Sequence, residues 1–326
     1  MPLSLCVWRT ELELTRRQLL LVTLASASVG SWALPAGDVR VWVVMSDQTG
    51  PYAQTAAALK EELSRDTRLT EWQIGPLQKF ADKSLSAPHL IVAIGARALE
   101  GMLEKQQAES GAAKVPILAT LIPRSSYEAL VGRMGSSVSA VWLDQPLERY
   151  LSLIRLAMPE RPQLGVLFGP DSEFLKPALL KAAAARGFTV RHATLYAQGD
   201  DLYTALRTVL AESQVLLALP DNLVFNPSSL QNILITAYRL RVPMVTYSAA
   251  HVKAGATLAL YASPTQVAAQ AAAAVRAMLN GRGWPTPRGV DKFSVAVNAQ
   301  VGRSLGLATV EPEGLMDALW RLEESR

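Results

Sequence analysis

Cysteine is almost absent: the 326 residues contain one, Cys6. It precedes the apolar run at the N-terminus, so it cannot be the lipid-bearing cysteine of a lipoprotein signal, and removal of that signal would leave no thiol. Disulfides, thiolate metal sites and a cysteine nucleophile are thereby excluded. Histidine is scarce too. His89, His192 and His251 lie far apart, with neither the His-x-x-x-His spacing nor the carboxylate spacing of a metal site. No uninterrupted apolar stretch reaches the roughly 18 residues that a transmembrane helix needs. Charge is thin, at 18% of residues and a net +4, and Lys and Arg are scattered singly, which argues against nucleic acid as a partner. Also missing are a Gly-x-x-x-x-Gly-Lys-Ser/Thr phosphate loop, a Gly-x-Gly-x-x-Gly turn after the first strand and a Gly-x-Ser-x-Gly nucleophile elbow. No cofactor, metal or covalent chemistry is expected.

What is present begins with an export signal. Thr15-Arg16-Arg17-Gln18 leads into the apolar run Leu19 to Val29, and Ser31-Trp32-Ala33 puts small residues where a signal peptidase requires them. Arg16-Arg17 before Gln18-Leu19-Leu20 also resembles the twin-arginine signature, so the route is secretory or twin-arginine. Residues 1–33 are read as the signal peptide and the mature chain as periplasmic.

Behind the signal, short apolar strands alternate with helices in two series of similar length, the pattern of an α/β chain with two lobes. The first series has strands at Val39–Val44, Trp72–Ile74, His89–Ile94, Val115–Thr120 and Ser139–Leu143, with helices at about Tyr52–Arg65 and Ala96–Gln107. The second has strands at Gln163–Phe168, Phe188–Ala193, Gln214–Leu219, Val242–Tyr247 and Thr257–Tyr261, with helices at about Pro146–Ala157, Phe174–Ala185 and Asp200–Leu210. Continuous apolar runs of this length mark parallel strands buried on both faces. A late alanine-rich helix, Pro264–Leu279, and a late strand, Phe293–Asn298, follow two complete series, so the chain crosses between lobes more than once. That predicts a hinge. The expected division is 34–144 with about 262–285 for the N-terminal lobe, and 145–261 with about 290–307 for the C-terminal lobe. Residues 308–326 form a helical tail whose Leu315, Leu319 and Leu322 recur at helical spacing.

In open α/β sheets ligands sit beyond the carboxyl ends of the strands. Those ends are polar or turn-forming here: Ser46-Asp47, Gly95, Thr120, Gly169-Pro170-Asp171-Ser172, Asp221-Asn222 and Tyr247-Ser248. Tyr52 and Tyr247 stand at the same ends, placed to stack on a ligand, whereas Trp42 and Phe168 lie inside strand runs and belong to the core.

Leu90–Leu99 (LIVAIGARAL), Pro159–Glu173 (PERPQLGVLFGPDSE), Leu216–Phe225 (LLALPDNLVF), Arg241–Ala272 and Phe293–Leu307 together resemble the ABC-transporter substrate-binding proteins of the type that includes tryptophan- and tyrosine-binding lipoproteins. The resemblance covers nearly all of the mature chain. It implies the type I periplasmic-binding fold, two Rossmann-like lobes with parallel sheets joined by three hinge crossovers, near Leu143–Pro146, Tyr261–Pro264 and Trp284–Asp291. It implies a ligand held by Ser46, Asp47, Tyr52, Gly95, Ala96, Arg97, Thr120, Asp171, Ser172, Asp221, Asn222, Tyr247 and Ser248, with Asp221 resembling the acidic residue that meets a ligand's amino group. Amino-acid-binding members commonly place Thr or Ser after the glycine that Gly95 matches. Here Ala96-Arg97 stand there, leaving backbone amides and a guanidinium to take an anion. The function implied is capture of a small ligand, an amino acid or related molecule, for a membrane permease of an ABC transporter, by a monomer that is not an enzyme. A sensory module presenting its bound ligand to a signalling partner is the alternative reading, and a secreted α/β enzyme the third.

Ser31 and Ala33 set the first expected outcome: intact mass of the protein from the periplasmic fraction should correspond to a chain beginning at Leu34. A full-length species confined to the cytoplasm would contradict export.

Overall fold

The computed structural model describes residues 37–109, 114–132, 137–197, 201–308 and 311–324. The expected signal peptide lies outside them. The first lobe runs β1 (Val39–Met45), α1 (Gly50–Leu63), β2 (Leu69–Pro76), β3 (Leu90–Ile94), α2 (Ala96–Ala108), β4 (Ile117–Ile122), α3 (Arg124–Val131) and β5 (Val138–Trp142). The second runs α4 (Leu147–Ala157), β6 (Gln163–Phe168), α5 (Lys176–Ala184), β7 (Thr189–Thr194), α6 (Leu202–Ala211), β8 (Val215–Leu217), α7 (Leu230–Arg239), β9 (Met244–Thr246), α8 (Ala249–Ala254) and β10 (Leu258–Tyr261). The chain then returns to the first lobe with α9 (Pro264–Leu279) and β11 (Arg288–Gly289), and ends in the second with β12 (Ser294–Val297), α10 (Ala299–Ser304) and α11 (Pro312–Glu324).

Each lobe holds one six-stranded sheet. The orders are β2-β1-β3-β4-β5-β11 and β7-β6-β8-β9-β10-β12. Within the first five strands of each lobe the order is the same, and all of them pair in parallel; β11 is also parallel, while β12 is antiparallel to β10. The strand order reverses between β1 and β3 in one lobe and between β6 and β8 in the other. Those reversals are the crevices where open α/β sheets take ligands.

The reason these runs become strands is visible in how β1 divides its side chains. Val39, Val41, Val43 and Met45 join the core formed with α1 and α9, while Trp42 and Val44 join the core formed with α2 and α3. Alternation with both faces covered explains an apolar run with no polar face. In β6, Leu164, Val166 and Phe168 face a core that includes α4, α5 and α11, and Leu167 faces α6 and α7. The tail helix is thus part of the second lobe's packing, with Leu315 and Leu319 buried.

Three passages join the lobes: Leu143–Pro146, Ala262–Ser263 and Val290–Phe293. The third lies later than the expected Trp284–Asp291, because Arg288–Gly289 still pair with Val141–Trp142 and Val290 is buried in the first lobe's core. The helix expected from Phe174 starts at Lys176 after a 3₁₀ turn, Glu173–Leu175, with Pro177 in its first turn, where a missing N–H costs nothing. The fourth strand runs Ile117–Ile122, not Val115–Thr120; Leu121, at φ +53, interrupts its register with β5. Helices α3, α7, α8 and α10 are additions to the sequence reading. One buried residue each in α3 and α8 left little apolar period to detect, whereas α7 buries Ile233, Leu234 and Ala237 on one face, a helical period that the sequence carries.

Gly165, in the middle of β6, has no room for a side chain: a Cβ would stand 2.6 Å from Ser213 Oγ and 2.9 Å from Val209 Cγ1 of α6. Gly165→Ala should therefore destabilise the protein by roughly 1 to 3 kcal/mol, the usual cost of overpacking, read as a lower urea midpoint with an unchanged slope.

Candidate functional site

At the carboxyl edge of the first sheet, β1 and β3 run into a compact knot. Ser46 N donates to Ile94 O at 2.9 Å, and Ser46 Oγ accepts the Ala98 amide at 2.9 Å, so a residue distant in sequence caps α2. Gly95 sits at φ +94, and a Cβ there would fall 2.5 Å from Ser46 Oγ and 2.6 Å from Tyr52 Cε1. Glycine is required both for that backbone conformation and for the closeness of the two side chains. Arg97 Nη2 reaches back to Ser46 O at 3.0 Å. The amides of Ala96 and Arg97, at the start of α2, have no partner among the described residues, which leaves an electropositive helix end beside a guanidinium. Asp47 folds onto Thr49, accepting its amide and hydroxyl at 2.9 and 2.8 Å; those bonds, and last the charge of Arg97, hold its carboxyl below the usual range. Ser46, Asp47, Tyr52, Gly95, Ala96 and Arg97 are therefore neighbours. Thr120 joins them through its backbone only: its O accepts Gly95 N at 2.8 Å, while its side chain is fully buried and turned toward Val141 O.

The second sheet's edge is built differently. Asp221 is 3% exposed, and its carboxylate accepts Ser172 Oγ at 2.8 Å, Leu223 N at 3.0 Å and Val224 N at 3.2 Å. Ser172, itself fully buried, also accepts Gly169 N at 3.0 Å. A Cβ on Gly169 would come within 2.3 Å of Asp221 Oδ1, so this glycine is what lets the carboxylate fold back over the end of β6. Asp221 and Ser172 were expected to face a ligand. They instead satisfy one another and the loop amides, because an unpaired carboxylate at that depth would be strongly unfavourable. Asp171 is next to them, accepting the Asn222 amide and side chain at 3.1 and 2.9 Å. Tyr247 is half-buried edge-on to His251 at 5.0 Å; burial first, and then the negative charge of Asp221, push its hydroxyl up to about 12. Ser248 caps α8 through the Ala250 amide. Thr246 Oγ1 lies 2.7 Å from His251 Nδ1, and burial holds that imidazole below its usual value.

The two edges meet. The Arg124 guanidinium, just beyond β4, stands 5.7 Å from the ring of Phe174, just beyond β6, and 5.5 Å from that of Trp142. The sequence pattern of the family described as ABC transporter substrate binding protein matches residues 78–311.

The chain belongs to that family.

No curated protein matches it in sequence. Solved structures do in shape: a ligand-free, open substrate-binding protein with adhesive properties from Clostridium difficile (17% identity, TM-score 0.65, 85% of this chain and 97% of that one), a conserved domain protein from Vibrio cholerae (20%, 0.61, 87% and 97%) and an ABC domain in complex with L-Trp from Streptococcus pneumoniae (15%, 0.60, 86% and 98%). At those identities the likeness is one of fold. As a member of the family, this substrate-binding protein is the solute-capturing component of an ABC-type uptake system and delivers a small ligand to its permease.

Three residues of this substrate-binding protein's cleft escaped the sequence reading: Arg124, Asp144 and Phe174. Asp144 lies in the first passage between lobes, half-buried, with Oδ2 accepting the Arg124 amide at 2.6 Å. Burial pushes its carboxyl above the usual range against the pull of that bond, and the Arg124 guanidinium is turned to Glu128 at 2.7 Å. The charge of Asp144 also reaches the fully buried Tyr150, whose hydroxyl is raised first by burial and then by Asp144 and Tyr247. In the sequence, Asp144 before Gln145-Pro146 reads as a turn residue, and nothing local distinguishes it. A cavity of about 20 Å³ lined by Met158, Leu258, Val297, Gly302 and Leu307 lies instead at the amino end of β10. It has room for about one water and is too small for a solute. Among the described residues no group of three His, Cys, Asp or Glu is placed to hold a metal.

The internal pairing of Asp221 has a measurable consequence. Asp221→Ala strands the Ser172 hydroxyl and two loop amides, at about 1 to 3 kcal/mol for each buried group left unpaired. Its melting temperature should fall by several degrees, with the residual folded protein retaining ligand affinity; a large loss of affinity at unchanged stability would place Asp221 in direct contact with the ligand.

Proposed function

We propose that this chain is a periplasmic, monomeric binding protein for a small zwitterionic ligand with an apolar or aromatic body, taken up between the lobes as they close. The observation that carries the reading is the pairing of an electropositive helix start at the first lobe's reversal of strand order with a half-buried carboxyl in the passage between lobes. On one side stand the partnerless amides of Ala96 and Arg97 and the Arg97 guanidinium, suited to a carboxylate. In the connecting passage stands Asp144, half-buried and with no cationic side chain within bonding distance among the described residues, suited to an ammonium group. Tyr52, beside Gly95, and Tyr247, beside His251 at the end of β9, are offered as flat surfaces for the ligand's body. Asp171 and Asn222, bonded to each other on an exposed edge, are offered as rim contacts, with Ser248 beside Tyr247.

A carboxylate raised by desolvation gains when a cation arrives, because the ligand's charge replaces the water it has lost. The bound L-Trp of the Streptococcus pneumoniae relative in fold is of this chemical class, which supports an amino acid as the first ligand to try. Mass spectrometry of the small molecules released from gently purified protein identifies the ligand, and calorimetric titration of that molecule follows. Asp144→Asn should weaken its binding by roughly tenfold to a hundredfold, the value of a charge-assisted hydrogen bond of about 1.5 to 3 kcal/mol. Recovery of a neutral sugar, with Asp144→Asn leaving its affinity unchanged, would overturn the zwitterion reading.

A further inference from the structure

The three passages between lobes are not independent strands. Phe293 closes the third, and its ring, 1% exposed, carries the Arg149 guanidinium at 4.4 Å and the Trp320 indole stacked at 4.5 Å and 22°. Arg149 belongs to the first turn of α4, immediately after the first passage. It is 8% exposed and is held in a bidentate ion pair by Glu323 of α11, Nε to Oε1 at 2.5 Å and Nη2 to Oε2 at 2.7 Å. Its remaining Nη1 donates to Gln145 Oε1, inside the first passage. The second passage is tied in through Gln266 of α9, which accepts Ser263 N at 2.8 Å and donates to Phe293 O at 2.9 Å. One more residue of α9, Gln270, holds Gly289 O and Asp291 N at 2.8 Å each.

We propose that α11 is a brace for the hinge: by clasping Arg149 and Phe293 it fixes the ends of the first and third passages against each other, and so sets the resting angle between the lobes. Two features separate this from ordinary packing of a terminal helix. A bidentate guanidinium–carboxylate pair fixes orientation as well as distance, and here it sits on the residue that leads out of a hinge strand. In addition, the Gln145 side-chain nitrogen is buried with no partner. A buried donor left unpaired is costly, and the bond from Arg149 to the oxygen of the same side chain is the contact that holds Gln145 in place. The brace needs only the two-lobed fold and stands apart from the chemistry of the ligand.

The test uses the full chain with Cys6→Ser and spin labels on Lys60→Cys of α1 and Lys253→Cys of α8, both exposed, and reads the distance between lobes by pulsed electron resonance without ligand. Glu323→Gln and Trp320→Leu each remove part of the clasp. Leu179→Ala loosens the same core at α5, off the brace. The brace predicts a shifted and broadened distance distribution in Glu323→Gln and Trp320→Leu, with the Leu179→Ala distribution coinciding with the parent's. Distributions in both clasp variants that superimpose on the parent's overturn it, as does an equal change in all three. Should Trp320→Leu fail to fold, Glu323→Gln against Leu179→Ala decides the matter.

Discussion

A parallel sheet must be covered on both faces, and that requirement organises this molecule. The first lobe's sheet has α2 and α3 on one face, but α1 alone does not cover the other; α9, made after the second lobe's first five strands, completes it with Val267, Ala268, Ala271, Ala272 and Val275 buried against the same core as Val41, Val43 and Leu59. The second sheet likewise gains its sixth strand, β12, from a still later segment. Each lobe borrows the element that closes it, so the chain has to pass between lobes three times. The hinge is a consequence of that covering.

The same topology decides where ligand chemistry is available. Matching strand orders put one crevice in each lobe, and the contact of Arg124 with Phe174 shows that the two edges face each other. What each crevice offers depends on which polar groups are already engaged. In the second lobe Asp221 and Ser172 are sunk and matched, which stabilises the loops and leaves no free charge. In the first lobe the Arg97 guanidinium is held to Ser46 O beside the start of α2, and between the lobes Asp144 is half-buried with the Arg124 amide on its carboxyl. Desolvation separates the two carboxylates: full burial is tolerable only with donors supplied by the protein, while partial burial leaves a group that a ligand can complete.

Much of this was legible in the sequence. The apolar runs, the helix Pro264–Leu279, the helix Pro312–Glu324 and the late strand pointed to two α/β lobes with a returning chain, because burial on both faces writes itself as continuous hydrophobicity and helices write their period. The neighbours Ser46, Tyr52 and Gly95 could be chosen from strand ends alone, and Arg97 from the family resemblance. Helix α8 could not: it is six residues long and buries only Val252, too little for a period to show.

The sequence by itself determined the class of fold, the return of the chain between lobes and the edges at which a ligand would be sought, since these follow from local periodicity and from turn chemistry. Tertiary structure alone decided what individual polar residues do. Asp221 and Asp144 look alike in the chain, each after an apolar run and before a turn; Gly169, more than fifty residues before Asp221, makes the space that hides the first, and the junction of two lobes half-exposes the second. Burial and the nearness of a partner are properties of the folded chain, and they set the energy of a charge.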